Sequence, residues 1–314
     1  MNEAAEPPAS PAPDEGPALE VVEYTDPLCP WSWGSEPVFR QLRAGLAGRA
    51  RWRRAYAILF DEDEEPAPDP AAETAWYEGY VAEIAAHTGA PRADRLRRVA
   101  ASSWPASQTA AAAELQGPQV AERVLRRLRE TVFVLGVPAD TPESALAAAR
   151  GVPGLDADRL AADAASPAVR ARVAADRAEA RRPVPEVREA ADGSPHPGAA
   201  KETPDGELRY ALPTLLFRSG DRYRAVPGRR GWAEYAAAVA SLGPRPLAAP
   251  APLAPAAALA RFATLTGPEA AVLTTGPWPP PDAVRQETAG GPLWLHPSEA
   301  AARPGFAPEP GPQL

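Results

Sequence analysis

The sequence predicts an α/β fold in which a strand, helix and strand near the start and a later strand pair share one sheet, interrupted by a long all-helical block. Three observations carry this reading. The β-branched and aromatic run Leu19-Glu20-Val21-Val22-Glu23-Tyr24 is cut off by Asp26-Pro27, as a buried strand would be. From about Pro70 to Arg182 the spacing is helical throughout, in Ala-, Leu- and Arg-rich segments divided by Gly and Pro. A second apolar run, Tyr210 to Phe217, then returns the chain to strand patterning. At 314 residues the chain exceeds the usual single domain, so one domain with a large insertion, or two domains, is expected.

In order along the chain, residues 1–17 are acidic, small and Pro-rich and are expected to form a disordered tail. After the first strand, Val38, Phe39, Leu42 and Leu46 mark one apolar helix face, with Pro37 kinking or restarting the helix and Gly45 and Gly48 ending it. Arg51 to Phe60 sets Trp52, Arg54, Tyr56 and Ile58 against Arg51, Arg53, Ala55 and Ala57, a second strand that completes a right-handed βαβ unit. Asp61-Glu62-Asp63-Glu64-Glu65-Pro66 reads as a solvated loop; no His or Cys stands beside it to suggest a metal.

In the helical block, Trp76, Tyr77, Tyr80 and Ile84 form one stripe and Val120, Val124, Leu128 and Val132 another, and ordinary core packing is expected of Trp76, Tyr77, Tyr80 and Trp104. Thr141-Pro142 is a helix start, with Thr141 as cap. Arg182 to Arg209, rich in proline, returns the chain to the sheet. Tyr210–Phe217 is a third strand, Ser219-Gly220-Asp221 a turn, Arg222–Val226 a fourth strand, and Trp232–Leu242 a closing helix. Beyond Gly243 the chain is Pro-dense, with apolar pieces at 259–265, 270–273 and 293–295, and is expected to be partly irregular, mostly so after about residue 297.

Composition narrows the function classes. Lys+Arg 33 against Asp+Glu 41 gives a net charge of −8, which argues against a nucleic-acid partner. Lys201 is the sole lysine; the arginine excess, with heavy Ala and Pro usage, reads as coding bias. The single cysteine excludes an intrachain disulfide framework and fits a reducing compartment. The N-terminal segment has no basic and apolar pattern of a secretory signal, and no apolar window is long enough to cross a membrane, so a soluble, cytoplasmic protein is expected. His87, His196 and His296 stand far apart, and neither a metal site nor a Cys-His dyad is expected.

The chemistry concentrates at Cys29. A lone cysteine is usually a small buried hydrophobe. Here it follows a strand tip and precedes Pro30, which suits the first position of a helix, so its sulfur is expected near free backbone N–H groups, with a lowered thiol pKa.

Asp26-Pro27-Leu28-Cys29-Pro30-Trp31-Ser32-Trp33 resembles the active-site segment of the DsbA-like, thioredoxin-fold proteins, particularly the cytoplasmic branch akin to the FrnE-type oxidoreductases. Ser102-Ser103-Trp104-Pro105-Ala106, Ala113 to Pro118 and Leu125 to Glu130 are similar to that family's helical insertion, which roofs the cysteine and shapes the substrate cleft. Leu212-Pro213 resembles its cis-proline element, which faces the nucleophile and offers backbone groups to an extended substrate. The family often carries a small C-terminal helix-and-wing-like element, which residues 244–314 resemble faintly.

The resemblance implies a thioredoxin-like domain at 18–69 and 201–243, a helical insertion and return linker at 70–200, and an appendage at 244–314. It implies catalytic roles for Cys29 and Ser32 and substrate contacts from Pro30, Trp31, Leu212 and Pro213. In the family a second cysteine at position 32 resolves the mixed disulfide. A serine can hydrogen-bond a thiolate but cannot displace it. The expectation is therefore a monothiol thiol-disulfide oxidoreductase with no bound cofactor. It would act on a protein thiol or disulfide and need an external thiol such as glutathione for turnover. Two alternatives stand beside it. One is a non-catalytic adaptor that kept the cleft to grip another protein. The other is a glutathione-dependent transferase or isomerase of the kappa type, in which the serine at the helix start activates glutathione.

Overall fold

Strand β1 (Leu19–Thr25) lies at the centre of the computed structural model, which describes residues 19–62, 67–189, 199–203, 205–243 and 245–303. The expected N-terminal tail, most of the acidic run and His196 lie outside the described residues. The chain leaves β1 into α1 (Pro30–Gly34) and α2 (Glu36–Gly45) and returns in β2 (Ala50–Tyr56), parallel to β1 with Val21 opposite Trp52. The two helices are separated at Ser35, so Pro37 serves as a helix start rather than a kink.

Seven helices follow: α3 (Pro70–Thr88), α4 (Trp104–Glu114), α5 (Pro118–Phe133), α6 (Pro142–Ala149), α7 (Ala157–Ala164), α8 (Pro167–Ala180) and α9 (Pro185–Arg188). Their core includes Val124, Leu128, Phe133 and Leu160, all nearly without solvent exposure. The Thr141 side chain accepts from Ser144 N–H and the Ser144 hydroxyl from Thr141 N–H, a reciprocal cap. Gly34 lets α1 lie against α3: a Cβ there would meet the Thr88 side chain at 2.6 Å.

A short ladder of β3 (Lys201–Glu202) and β4 (Leu208–Arg209) precedes β5 (Thr214–Ser219), β6 (Arg222–Pro227) and α10 (Trp232–Leu242). The main sheet runs β2-β1-β5-β6, with β5 antiparallel to β1 and β6. One face packs on α2 and α10 through Val21, Phe39, Leu215, Phe217 and Tyr235; the other carries Val22, Tyr24, Ala55 and Leu216.

Two strands are shorter than the sequence predicts. The second ends at Tyr56 rather than Phe60, because Ile58 adopts φ 52°, a left-handed conformation that costs a β-branched residue free energy, and Leu59 N–H turns to a side chain of the β1 tip. The third starts at Thr214 rather than Tyr210. Tyr210 N–H instead donates to Ala180 O at 3.0 Å and its ring stacks on Tyr24, centroids 4.0 Å apart.

In the C-terminal segment short elements alternate with irregular stretches at 245–254 and 275–283, and most of the tail expected after about residue 297 lies outside the described residues. Helix α11 (Pro255–Phe262), β7 (Thr264–Thr266), α12 (Gly267–Leu273), β8 (Val284–Gln286), β9 (Leu293–Leu295) and α13 (Pro297–Ala301) build a unit with a three-stranded sheet, β7-β9-β8, over its own apolar centre at Leu259, Leu265 and Leu273. Buried ions join it to the rest. Glu269 takes a two-pronged pair from Arg126, both bonds 2.9 Å, and a third contact from Arg40 at 3.2 Å. Glu130 pairs with Arg126 at 2.6 Å and with Arg303, and Arg129 pairs with Glu36. Many arginines that read as coding bias thus hold elements together.

Candidate functional site

The tip of β1 sets the site. Asp26, fully buried, accepts Leu28 N–H on Oδ1 and Leu59 N–H on Oδ2, both at 2.7 Å, so one carboxyl ties the turn before Cys29 to the turn after β2. Burial, the largest influence, pushes the Asp26 carboxyl up, against those two N–H bonds. Cys29 is the N-cap of α1 with extended backbone (φ −86°, ψ 119°), and Pro30 takes the first helical position. Leu212-Pro213 is a cis bond, and the Cys29 Sγ donates to Leu212 O at 3.9 Å. The two segments, far apart in sequence, therefore meet at the sulfur.

The thiol is only 3% exposed. Burial pushes it up, Asp26 adds to the rise, and bonds from Ser32 and Trp31 oppose it without prevailing. This reverses the lowered pKa expected from the helix start. The reason is size: α1 has five residues, too short for a strong end-dipole, while desolvation acts in full. Iodoacetamide should therefore modify Cys29 more slowly at pH 7 than a free cysteine, with the rate climbing only above the ordinary thiol range. A rate that is already level below pH 7 would contradict this.

Cys29, Pro30, Trp31 and Leu212 line one cleft of about 390 Å³. Ser32 and Pro213 do not line it. Ser32 is sealed behind the wall at 0% exposure, where its Oγ accepts from Thr25 Oγ1 at 3.0 Å, and Thr25 in turn accepts from Arg129 at 2.9 Å. The opposite wall comes from α3. Trp31 Nε1 donates to the Tyr80 hydroxyl at 3.0 Å, and Tyr80 stacks on Trp76 with planes 3° apart and centroids 5.7 Å.

Core packing was expected of these aromatics, and it holds for Trp104, whose indole N–H reaches Asp61 at 3.1 Å. It fails for Trp76, 67% exposed at the mouth of the cleft; Tyr77 is buried but lines the same cleft. Residues that sequence reasoning missed here are Lys201, Arg209 and Arg229, which line the cleft together with Glu73 and Glu202. The three basic residues come from β3, β4 and the turn after β6 and carry no shared pattern. His87 lies beside the site, its ring edge-on to Trp31 and its Nε2 3.4 Å from Arg229 Nη1, whereas His296 caps α13. No grouping of His, Cys, Asp and Glu able to hold a metal occurs among the described residues.

A family model described as thioredoxin matches residues 23–182, from within β1 to the end of the helical block. The chain belongs to the thioredoxin family. Its mixed sheet is interrupted by a large helical insertion. A candidate protein disulfide isomerase from Nitrosomonas europaea superimposes with a TM-score of 0.54 at 14% identity, covering 71% of this chain and 96% of that one. A candidate DsbA oxidoreductase from Streptomyces coelicolor gives a TM-score of 0.48 at 19% identity, covering 74% and 100%. The ClpXP adapter protein SpxH of Shouchella clausii (strain KSM-K16) is 32% identical over 152 residues, 48% of this chain and 49% of that protein. The chain thus spans about half the length of this curated relative.

Proposed function

We propose that Cys29 acts as a single nucleophile that exchanges with a disulfide or a glutathione adduct lying along Leu212, whose cis bond to the buried Pro213 sets its carbonyl, with Pro30 and Trp31 as the facing contacts. The observation that carries this is the Cys29 Sγ beside the Leu212 carbonyl on the wall of an open cleft. The Cys29 thiol loses its proton to solvent, and its sulfur attacks one sulfur of the partner disulfide. A new S–S bond forms as the old one breaks, and the departing thiolate takes up a proton. Ser32, whose hydrogen bonds act to lower the Cys29 pKa, stabilises the thiolate during attack. The chain has no second cysteine, so an external thiol such as glutathione must attack the mixed disulfide to regenerate Cys29. No bound cofactor or metal enters this scheme, and a reducing compartment such as the cytoplasm would supply the thiol. No described helix is long and apolar enough to cross a membrane.

The test is capture. Affinity-tagged chain, recovered under non-reducing conditions after exposure to a peptide carrying a glutathione-capped cysteine, should hold the peptide through a bond that dithiothreitol cleaves and Cys29→Ser abolishes. Equal capture by Cys29→Ser would end the reading.

A second reading, an adaptor that grips a partner without turnover, draws on two observations: the exposed Trp76 stacked at the cleft mouth, and a relative named for that role. An adaptor would hold its partner with Cys29 replaced and lose it with Trp76→Ala. The kappa-type reading is disfavoured, since Ser32 is sealed from the cleft in which glutathione would lie.

A further inference from the structure

A second cavity, of about 760 Å³, shares no lining residue with the Cys29 cleft. It opens between α2, β2, the start of α5 and the α11–β7 corner of the C-terminal unit. We propose that it is a binding site for a small polyanionic phosphate compound carrying an aromatic ring, the chemistry of a nucleotide.

Charge is the first argument. Seven arginines line the cavity against three glutamates. Four of those arginines, Arg40, Arg43, Arg54 and Arg126, pair with Glu23, Glu36, Glu130 and Glu269, none of which is on the cavity wall, and Arg43 and Arg54 pair in addition with Glu122, which is. Arg123 and Arg261 have no carboxylate within ion-pair range among the described residues, so cationic charge on the wall is left uncompensated.

Donor capacity is the second. Arg40, Arg54 and Arg126 are 6 to 7% exposed, so their donors already stand largely out of water, where a charged acceptor gains most. Arg40 is also pushed toward losing its proton by burial, and the neighbouring Arg126 and Arg43 add to this; a bound anion would relieve it.

Size and lining decide the class. The volume lies in the range of about 300–1,000 Å³ usual for small-molecule sites, far more than one phosphate fills. Guanidiniums already lie over the two aromatic rings of the wall, Arg43 over Trp52 at 5.6 Å and Arg40 and Arg261 over Phe262 at 4.8 and 5.3 Å, so a ligand ring would stack on a guanidinium plane. Such a wall accepts a flat ring beside a charged tail.

Isothermal titration of the full-length chain with ATP, pyrophosphate and adenosine at fixed ionic strength tests the proposal. Saturable binding in the order ATP, then pyrophosphate, then adenosine is expected, together with a rise in Tm. The double variant Arg123→Gln/Arg261→Gln, which breaks no ion pair, should weaken ATP roughly tenfold or more, with unchanged Tm in the absence of ligand and unchanged Cys29 alkylation. No saturable ATP binding, adenosine or pyrophosphate binding as tightly as ATP, or a double variant that binds ATP like the parent would overturn it.

Discussion

Glu269→Gln lowers the unfolding free energy by about 3–5 kcal/mol, the cost of stranding a buried charge after removing its partner. Glu269 has no solvent exposure and takes both prongs of Arg126 as well as Arg40. The amide can accept on one atom only, and its NH2 group points donors at donors. The two guanidiniums, already sharing a crowded cationic wall, lose the charge that offsets their burial. Urea unfolding measures this, with Glu287→Gln as the control, since the Arg285–Glu287 pair is more than half exposed and should leave stability unchanged. A drop below about 1 kcal/mol for Glu269→Gln would mean that the network is not what holds the C-terminal unit in place.

The same network fixes the response to acid. Burial would raise Glu130, but Arg303 and Arg126 hold it down at about 2, and the arginines around Glu36 hold that carboxyl well below the usual range. Unfolded glutamates titrate near ~4.3, so below about pH 5 the unfolded chain binds more protons than the folded one. The stabilisation is complete at neutral pH and is lost as pH falls from about 5 towards 2. A shift the size of that of Glu130 corresponds to roughly 3 kcal/mol.

How much of this was legible in the sequence follows from how far apart the interacting residues lie. The first strand, the helix start at Pro30, the cap at Thr141 and the closing helix 232–242 are written in adjacent residues, and the structure shows each of them. The cis bond at Leu212-Pro213 was reachable only through resemblance. Arg126 and Glu269 are separated by 143 positions, and nothing local distinguishes Arg126 from the solvent-facing arginines of the same composition. Tyr210 continues the alternation of a strand, yet its ring is needed against Tyr24, which pulls it out of the ladder. The thiol pKa failed for a different reason. A helix start is visible in sequence, but the degree of burial that outweighs it is set by α3, β3, β4 and the Ala211-Leu212 segment around the β1 tip.

If Cys29 captures partners as proposed, Ser32→Cys should add an intramolecular release step. Residue 32 sits one turn into α1 from the N-cap at Cys29, the i, i+3 spacing that places two side chains on one face, so a thiol there lies within reach of a mixed disulfide formed at position 29. Attack by the new sulfur would free the partner as a thiol and leave an intrachain disulfide, which glutathione then reduces. Covalently captured partner should fall at least about tenfold relative to the parent chain, and free thiols in the oxidised variant should drop to none. The change removes the 3.0 Å bond from Thr25 to Ser32, at a cost of about 1 kcal/mol, while Arg129 still donates to Thr25, so the fold should survive. Unchanged capture by a folded variant would show that release does not wait on a missing thiol, and the grip of the cleft itself would then be what holds the partner.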